Sequence, residues 1–164
     1  RTTSSAASDV YKRQVVDSLL QDIKYADLTN IKIQEAKGRF EIVNDSPIKI
    51  IDGAHNYEGV EILLRNYENK YGHLNTDLFL GFKKGKDINN IINLIIEKTN
   101  YNLHLIEDDT FFDQEITKEI GCLLDKHGKN YKISSLEQFN KNKNPSILLG
   151  SLYLIGEYKK RNIK

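Results

Sequence analysis

The sequence predicts an α/β fold in which a Rossmann-like, mostly parallel sheet carries helices on both faces. From residue 40 onward, short apolar runs alternate with amphipathic stretches whose apolar residues recur at helical spacing. Turn-forming residues, such as those at 44–47, separate the runs. Strands that alternate with helices in this way are joined by right-handed crossovers and pair in parallel.

The elements are predicted in order along the chain. A helix is expected over 15–29, where five aliphatic residues form one stripe. Strands are expected at 40–43, 48–51, 78–82, 103–106, 131–133 and 147–149, and helices over 60–71, 88–95, 116–124 and from 151 onward. Gly72 and Gly128 are suited to end two of these helices. The Asn/Lys-rich segment 140–144 is expected to be a surface loop.

Length and composition fit a single cytoplasmic domain with a substantial core. The 164 residues carry 24 Lys and Arg against 23 Asp and Glu, so neither nucleic acid nor an anionic membrane is expected as a partner. One cysteine, Cys122, excludes an internal disulfide framework, fits a reducing compartment and is expected to fill the core. No apolar run approaches the roughly 18 residues that span a bilayer. Residues 1–14 are small and polar, and are predicted to be a non-native or disordered leader.

Ligands of open α/β sheets bind outside the carboxyl ends of the strands. Polar residues that could share this edge follow the predicted strands: Asp52, Lys83, Lys84, Glu107, Asp108, Ser134 and Ser151. Lys83, Lys84 and Lys86 are either solvated charges or phosphate contacts.

The stretch IIDGAHNYEG at 50–59 allows three interpretations. In the first, Asn56 caps the following helix and Asp52 holds the turn. In the second, Asp52 and His55 bind a metal, which is disfavoured because no HxxH, HExxH or CxxC motif accompanies them. In the third, the Asp52 carboxylate accepts ribose hydroxyls while the helix N-terminus favours anionic oxygens. The P-loop pattern GxxxxGK[ST] is absent, so no phosphate cradle is predicted.

Two further features have alternative roles. Arg39 is either a solvated charge or a guanidinium that stacks on a base or pairs with a phosphate, and its spacing allows it to meet Asp52. Ser151 is either a helix cap, with Gly150 chosen for tight packing, or a ligand for a carboxylate.

In this order, GRF at 38–40, DGAHN at 52–56, GKD at 85–87 and GSLYLIGE at 150–157 resemble the C-terminal domain of the folylpolyglutamate synthase and dihydrofolate synthase family, within the Mur ligase superfamily. The resemblance covers residues 38–161. It implies that 15–37 end a preceding central ATP-binding domain and that 38–164 form a C-terminal domain of the Mur ligase type. Tyr57 stands where the family has Pro, and Gly85 stands where it has Asp.

The resemblance implies an ATP-dependent ligase that adds L-glutamate to (tetrahydro)folate or dihydropteroate through an acyl phosphate. Arg39 and Asp52 would contact the nucleotide, with Asp52 on the ribose. His55 and Ser151 would be the catalytic pair, with Ser151 positioning the glutamate. ATP and Mg²⁺ would be the cofactors, held mainly by upstream domains, with no metal ligand from this chain. The protein would be a monomer whose isolated C-terminal part is inactive.

Two other functions remain open. The chain could belong to another Mur-type amino-acid ligase, whose acceptor is a peptidoglycan precursor. It could also be a non-catalytic nucleotide-binding or interaction module in which DGAHN is only a capped turn.

Overall fold

The computed structural model describes residues 37–107 and 114–162 of the chain. The predicted leader at 1–14, the helix at 15–29 and Asp108 lie outside the described residues. The domain boundary proposed near residue 37 therefore stays a prediction.

The described residues form six strands and five helices. The strands are β1 (Glu41–Asp45), β2 (Ile48–Asp52), β3 (Asp77–Gly81), β4 (Asn102–Ile106), β5 (Tyr131–Ser134) and β6 (Ser146–Gly150). The helices are α1 (Tyr57–Tyr71), α2 (Ile88–Lys98), α3 (Gln114–Lys126), α4 (Leu136–Lys141) and α5 (Leu152–Asn162). This alternation confirms the predicted α/β class.

All six strands belong to one sheet with the order β1-β2-β6-β3-β4-β5. The first pair, β1 and β2, is an antiparallel hairpin, whereas every other neighbouring pair is parallel. The carboxyl ends of β2, β6, β3, β4 and β5 therefore lie at one edge of the sheet. The last strand, β6, lies in its interior between β2 and β3.

Helices cover both faces of the sheet, as predicted. One face packs against α1, α2 and α3, and its buried residues include Ile50, Leu78, Leu105 and Leu149. The other face packs against α4 and α5 through residues that alternate with these: Ile51, Phe79, Ile106 and Leu148. Strands buried on both faces consist of continuous apolar runs, because neither face meets water.

Three predictions differ from the structure. The strand expected at 40–43 runs from Glu41 to Asp45, because the turn needs only Ser46 and Pro47. The segment 140–144 is only partly a loop, because Asn140 and Lys141 belong to α4. Cys122 is exposed and does not fill the core, because the buried stripe of α3 passes through its neighbours instead.

Candidate functional site

Asp52 is the last residue of β2, and backbone hydrogen bonds hold its carboxylate in place at the carboxyl edge of the sheet. Its Oδ2 accepts a hydrogen bond from Phe40 N at 2.8 Å, and its Oδ1 accepts one from Ala54 N at 2.7 Å. The residue is only 6% exposed. The predicted role in holding the turn is therefore confirmed. A carboxylate has about four lone-pair positions, so these two bonds leave acceptor capacity for a ligand.

The loop before β1 has an uncommon backbone that depends on Asp52. Gly38 has a φ of 74° and Phe40 a φ of 43°. For a bulky residue such as Phe40, a positive φ is a strained conformation that costs on the order of 1–3 kcal/mol. The hydrogen bond from Phe40 N to Asp52 and the one from Gly53 N to Gly38 O, at 2.9 Å, hold the loop in place.

This loop places Arg39 beside Asp52. Arg39 Nη1 lies 3.7 Å from Asp52 Oδ1, and the Arg39 side chain is 47% exposed. The structure therefore brings together the two side chains whose spacing allowed them to meet. Because much of the guanidinium faces solvent, it remains able to contact a ligand as well as the carboxylate.

Glu41 fastens the same loop to α5. Its Oε2 accepts hydrogen bonds from Gly38 N at 2.6 Å and from Lys159 Nζ at 2.5 Å. Burial by itself would raise the Glu41 pKa, but the hydrogen bonds from Lys159 and Gly38 and the charges of Lys159 and Lys37 hold it below its usual value. Glu41 thus remains ionised and ties the loop to α5.

His55 follows Asp52 by three residues and has a defined ring orientation. Its Nδ1 lies 2.9 Å from Gly53 O. A carbonyl oxygen can only accept, so Nδ1 carries the proton in this contact. In the neutral ring Nε2 is then the nitrogen that can accept a proton or a hydrogen bond. The half-buried imidazole is thereby oriented by the turn itself.

Asn56 is the N-cap of α1, as the first interpretation of this stretch predicts. Its backbone is extended and its Oδ1 accepts a hydrogen bond from Gly59 N at 3.2 Å. A Cβ at position 59 would lie 2.7 Å from that oxygen, so the cap requires glycine there. The cap uses Asn56 and leaves Asp52 and His55 available on the preceding turn.

Ser151 caps α5. Its Oγ accepts a hydrogen bond from Leu154 N at 3.2 Å, and the residue is buried. The preceding Gly150 has a φ of 152°, and a Cβ on it would lie 1.9 Å from Gly81 O on the neighbouring strand. The predicted cap and the predicted tight packing at Gly150 are both confirmed.

The two glycine-containing motifs are neighbours in space. A Cβ at Gly53 would lie 2.5 Å from Leu152 Cδ2 and 3.3 Å from Leu152 N. Gly53 thus allows the turn that carries Asp52 and His55 to rest on the first residue of α5, directly after Ser151. The structure therefore brings all four predicted site residues to one region of the sheet edge.

A groove of about 390 Å³ opens beside this turn. Arg39, Phe40, Asp52 and Ala54 form part of its lining, and the remaining residues belong to the α1 N-cap and helix: Asn56, Gly59, Ile62, Leu63 and Asn66. The volume lies within the range of small-ligand sites, about 300–1,000 Å³. Arg39 and Asp52 line this groove, whereas His55 and Ser151 lie outside its lining.

Two of the three lysines after β3, Lys83 and Lys84, have partners within the protein. Lys83 Nζ lies 3.5 Å from the centroid of the Tyr153 ring, on α5. Lys84 forms an ion pair with Glu115 at 3.2 Å. Gly85 turns the loop with a φ of 85°, and Asp87 caps α2 by accepting from Asn90 N. A phosphate-binding role for Lys83, Lys84 or Lys86 stays a prediction.

The remaining residues predicted for the sheet edge are placed as the topology requires. Glu107 follows β4 and donates its N–H to Ser134 O on β5 at 3.0 Å. Ser134 Oγ lies 2.9 Å from Nδ1 of His104 and shares a hydrogen bond with it. In residues 37–107 and 114–162, no three His, Cys, Asp or Glu residues are grouped so that they could hold a metal ion.

Several groove and edge residues were missed by sequence reasoning. Ile62, Asn66, Phe40 and Tyr153 were not singled out. Ile62 and Asn66 are separated by four positions and follow Asn56 and Gly59 on the same helical face, so this periodicity could have shown them once the cap was recognised. Phe40 and Tyr153 gave no such signal, because their roles depend on contacts distant in sequence.

No family model matches the chain. A curated relative, the dihydrofolate synthase/folylpolyglutamate synthase of Bacillus subtilis, is 27% identical over 130 residues. The alignment covers 76% of this chain and 30% of the relative, so the chain spans less than a third of that enzyme.

Solved structures share the fold. The bifunctional folylpolyglutamate synthase/dihydrofolate synthase of Yersinia pestis, complexed with AMPPNP and a Mn ion, matches with a TM-score of 0.63 and 16% identity over 84% of this chain and 35% of that one. A UDP-N-acetylmuramate-alanine ligase of Thermotoga maritima matches with a TM-score of 0.60 and 16% identity over 94% of this chain and 37% of that one. The resemblance to folylpolyglutamate synthases and the Mur-ligase-type fold are therefore confirmed.

None of the helices among the described residues is both long enough and apolar enough to cross a membrane.

Proposed function

We propose that this chain, which resembles one part of the folylpolyglutamate synthases, is the C-terminal domain of an ATP-dependent ligase that adds L-glutamate to (tetrahydro)folate or dihydropteroate. The chain is a Mur-ligase-type domain, and the acceptor, the amino acid and the reaction are the proposed refinements. The observation that carries the proposal is the Arg39–Asp52 pair in a ligand-sized groove at the carboxyl edge of the sheet.

The groove fits a nucleotide. Asp52 is a fixed carboxylate with remaining lone pairs, which suits the two hydroxyls of a ribose. Arg39 is a half-exposed guanidinium, which suits a phosphate or the face of a base. The same pair would be poorly suited to an apolar ligand, because burying it without polar partners would be costly.

The chemistry that we propose starts from a carboxylate, which is a poor electrophile. ATP supplies a phosphoryl group that makes the carboxylate an acyl phosphate, and the amine of L-glutamate displaces the phosphate to form an amide. For such a reaction the protein contributes mainly position and charge stabilisation.

His55 and Ser151 are the proposed catalytic residues. With the Nδ1 proton held by Gly53 O, Nε2 of His55 could accept the amine proton and, once protonated, donate to a phosphate oxygen. Ser151, beside the exposed first turn of α5, would position the glutamate carboxylate. Both roles are carried over from the resemblance to folylpolyglutamate synthases, at the positions that match the family's motifs.

The described residues fit the nucleotide better than they fit Mg²⁺. Because the described ranges contain no cluster of three potential metal ligands, we assign the metal to other parts of the ligase, together with most of the folate site. The proposed ligase is a cytoplasmic monomer that uses ATP, L-glutamate and a folate or pteroate, as the sequence predicts.

One alternative has specific support. The Thermotoga maritima structure, a UDP-N-acetylmuramate-alanine ligase, matches 94% of this chain. A Mur-type ligase with a peptidoglycan-precursor acceptor therefore remains the second candidate, and a non-catalytic nucleotide-binding module the third.

The test is an assay of the full-length ligase with ATP, L-glutamate and either tetrahydrofolate, dihydropteroate or a UDP-N-acetylmuramate-based acceptor. Glutamylation of a folate or pteroate is expected. Amide formation on the muramate acceptor alone would replace the proposal by the second candidate. If ATP is not turned over with any of these three acceptors, both ligase assignments are contradicted.

The nucleotide assignment is tested by Arg39→Ala. Losing a charge-assisted contact should raise the KM for ATP by about tenfold or more. Arg65→Ala, which removes an exposed arginine outside the groove, is the matched control and should leave this KM unchanged. An unchanged KM for ATP in Arg39→Ala would contradict the assignment.

A further inference from the structure

The loop before β1 rests on one face of α5. A Cβ at Gly38 would lie 3.2 Å from Ile155 Cγ2 and 3.7 Å from Leu152 Cδ2, so the loop backbone packs closely against both side chains. Lys159, which holds the end of the loop through Glu41, follows Ile155 by four positions. Residues spaced by three and four positions share one face of a helix. Leu152, Ile155 and Lys159 therefore form a single support for the loop, roughly 10 Å long.

The conformation of this loop depends on contacts from outside it. Gly38 and Phe40, on either side of Arg39, both have a positive φ, and a bulky residue keeps such a backbone only when its surroundings enforce it. Two hydrogen bonds tie the loop to the turn after β2. A third runs from Gly38 N to Oε2 of Glu41 at 2.6 Å, and the same oxygen accepts from Lys159 Nζ at 2.5 Å. The residue before Arg39 is thus bonded to a carboxylate whose position Lys159 fixes.

The Glu41–Lys159 ion pair differs from the other ion pairs of α5. Its two side chains are only about a quarter exposed. In the Lys160–Glu157 pair of the same helix, the lysine is 76% exposed and the charged atoms are 3.8 Å apart. A short, partly buried pair is screened less by solvent than an exposed one. Lys159 is therefore able to hold the Glu41 carboxylate in one position, whereas Lys160 is a solvated surface charge.

We propose that Glu41 and Lys159 are positioning residues of the nucleotide site, because their ion pair fixes the loop that presents the Arg39 guanidinium to the nucleotide. This inference rests on the proposed function and extends it to a contact outside the groove, since neither partner of the ion pair lines the groove. Lys159 acts through Glu41 and the loop backbone, without touching the nucleotide.

The experiment measures the KM for ATP and kcat in the full-length ligase at saturating acceptor and glutamate. Lys159→Met is expected to raise the KM for ATP by about threefold to fivefold, because a partly buried ion pair is worth about that factor. Glu41→Gln, which removes the other charge, should have the same effect. Lys159→Arg keeps the charge and should restore most of the affinity for ATP. In all three variants kcat should change little, because the loop contributes to binding of the nucleotide.

Lys160→Met is the matched control, since it removes the adjacent lysine of the same helix, and it should leave the KM for ATP unchanged. The decisive comparison repeats Lys159→Met in the Arg39→Ala background. If the ion pair acts by positioning Arg39, the second substitution should not raise the KM further, because the guanidinium that it positions is absent.

Two results would overturn this inference while the Arg39→Ala effect leaves the nucleotide assignment standing. The first is an unchanged KM for ATP in Lys159→Met and Glu41→Gln. The second is an equal rise in KM on Lys159→Met with and without Arg39, which is the behaviour of a contact that only stabilises the fold. If Arg39→Ala itself has no effect on the KM for ATP, the nucleotide assignment is contradicted and this inference with it.

Discussion

At the scale of single residues, His104 is a partly buried titratable group that the proposed chemistry does not use. Its ring stacks on Phe79 with 4.3 Å between centroids, and its Nδ1 lies 2.9 Å from Ser134 Oγ. Its Nε2 lies 3.8 Å from a carboxylate oxygen of Asp77. Burial lowers the pKa of His104, the Asp77 carboxylate raises it and the Lys132 charge lowers it, with a net shift below the usual value.

This shift predicts how stability depends on pH. Because the folded-state pKa is lower than the unfolded value of about 6.5, the unfolded chain binds the proton first as the pH falls. The contribution of His104 to stability is therefore fully present above about pH 6.5 and is lost as the pH falls through the folded-state pKa. Urea unfolding between pH 5 and 7.5 should show a weaker pH dependence in His104→Gln than in the unaltered protein.

His73→Gln, which replaces an exposed histidine, is measured alongside as the control for a histidine-to-glutamine substitution. Equal pH dependence in His104→Gln and the unaltered protein would contradict the prediction.

Sequence reasoning singled out Arg39, Asp52, His55 and Ser151 but not the geometry that connects them. Arg39 and Asp52 could be paired because one hairpin separates them, and such short separations limit where the chain can go. The positive φ of Phe40 could not be predicted, because a bulky residue adopts it only when hydrogen bonds such as those to Asp52 Oδ2 and Gly38 O enforce it. Ile62 and Asn66 remained unnoticed because an exposed helix face is ordinary unless a groove is known to lie beside it.

At the scale of elements, two serine-capped helices begin at the carboxyl edge of the sheet. Ser151 caps α5 through Leu154 N, and Ser135 caps α4 through Gln138 N in a reciprocal capping box. The local geometry is the same, but Ser151 is buried beside Gly53 and Ser135 is only partly buried. Comparing the two serines therefore distinguishes a capping role from the ligand-binding role that we propose for Ser151.

Replacing either serine by alanine should lower the free energy of unfolding by about 1 kcal/mol, because each removes one capping hydrogen bond. Only Ser151→Ala should also raise the KM for L-glutamate in the full-length ligase. Chemical denaturation and steady-state kinetics on both variants check this. An equal KM in the two variants would leave Ser151 as a cap without a part in glutamate binding.

Elements with long, periodic apolar faces were predicted within a few residues of their observed bounds. Helix α4 was missed because its six residues are too few for a helical period to stand out. Its capping box, Ser135 with Gln138, was the available signal. The antiparallel pairing of β1 with β2 follows from a turn too short for a crossover, which is why the sheet is mostly rather than wholly parallel.

At the scale of the whole molecule, the described residues provide only part of the catalytic site that we propose. The described residues provide a carboxylate, a guanidinium, an imidazole and a groove, and their ranges contain no group able to hold a metal ion. Phosphoryl transfer depends on a cation that neutralises the developing charge. A catalytic centre therefore needs groups beyond those described.

We accordingly expect the 164-residue chain alone to show no ATP hydrolysis and no amide formation above the rate in buffer. The comparison is with the full-length ligase at the same concentration, assayed for phosphate release with and without acceptor. Turnover by the chain alone that disappears in its Asp52→Asn variant would contradict the expectation.

The position of β6 has a consequence for the order in which the domain is made. Strands β2 and β3 do not pair with each other, and both pair with β6, which lies almost a hundred residues after β2 begins. During synthesis the hairpin of β1 and β2 and the pair of β3 and β4 can form early, but they remain separate until residues 146–150 leave the ribosome. Ser151 follows at once, so the continuous sheet and its carboxyl edge are completed together when β6 emerges.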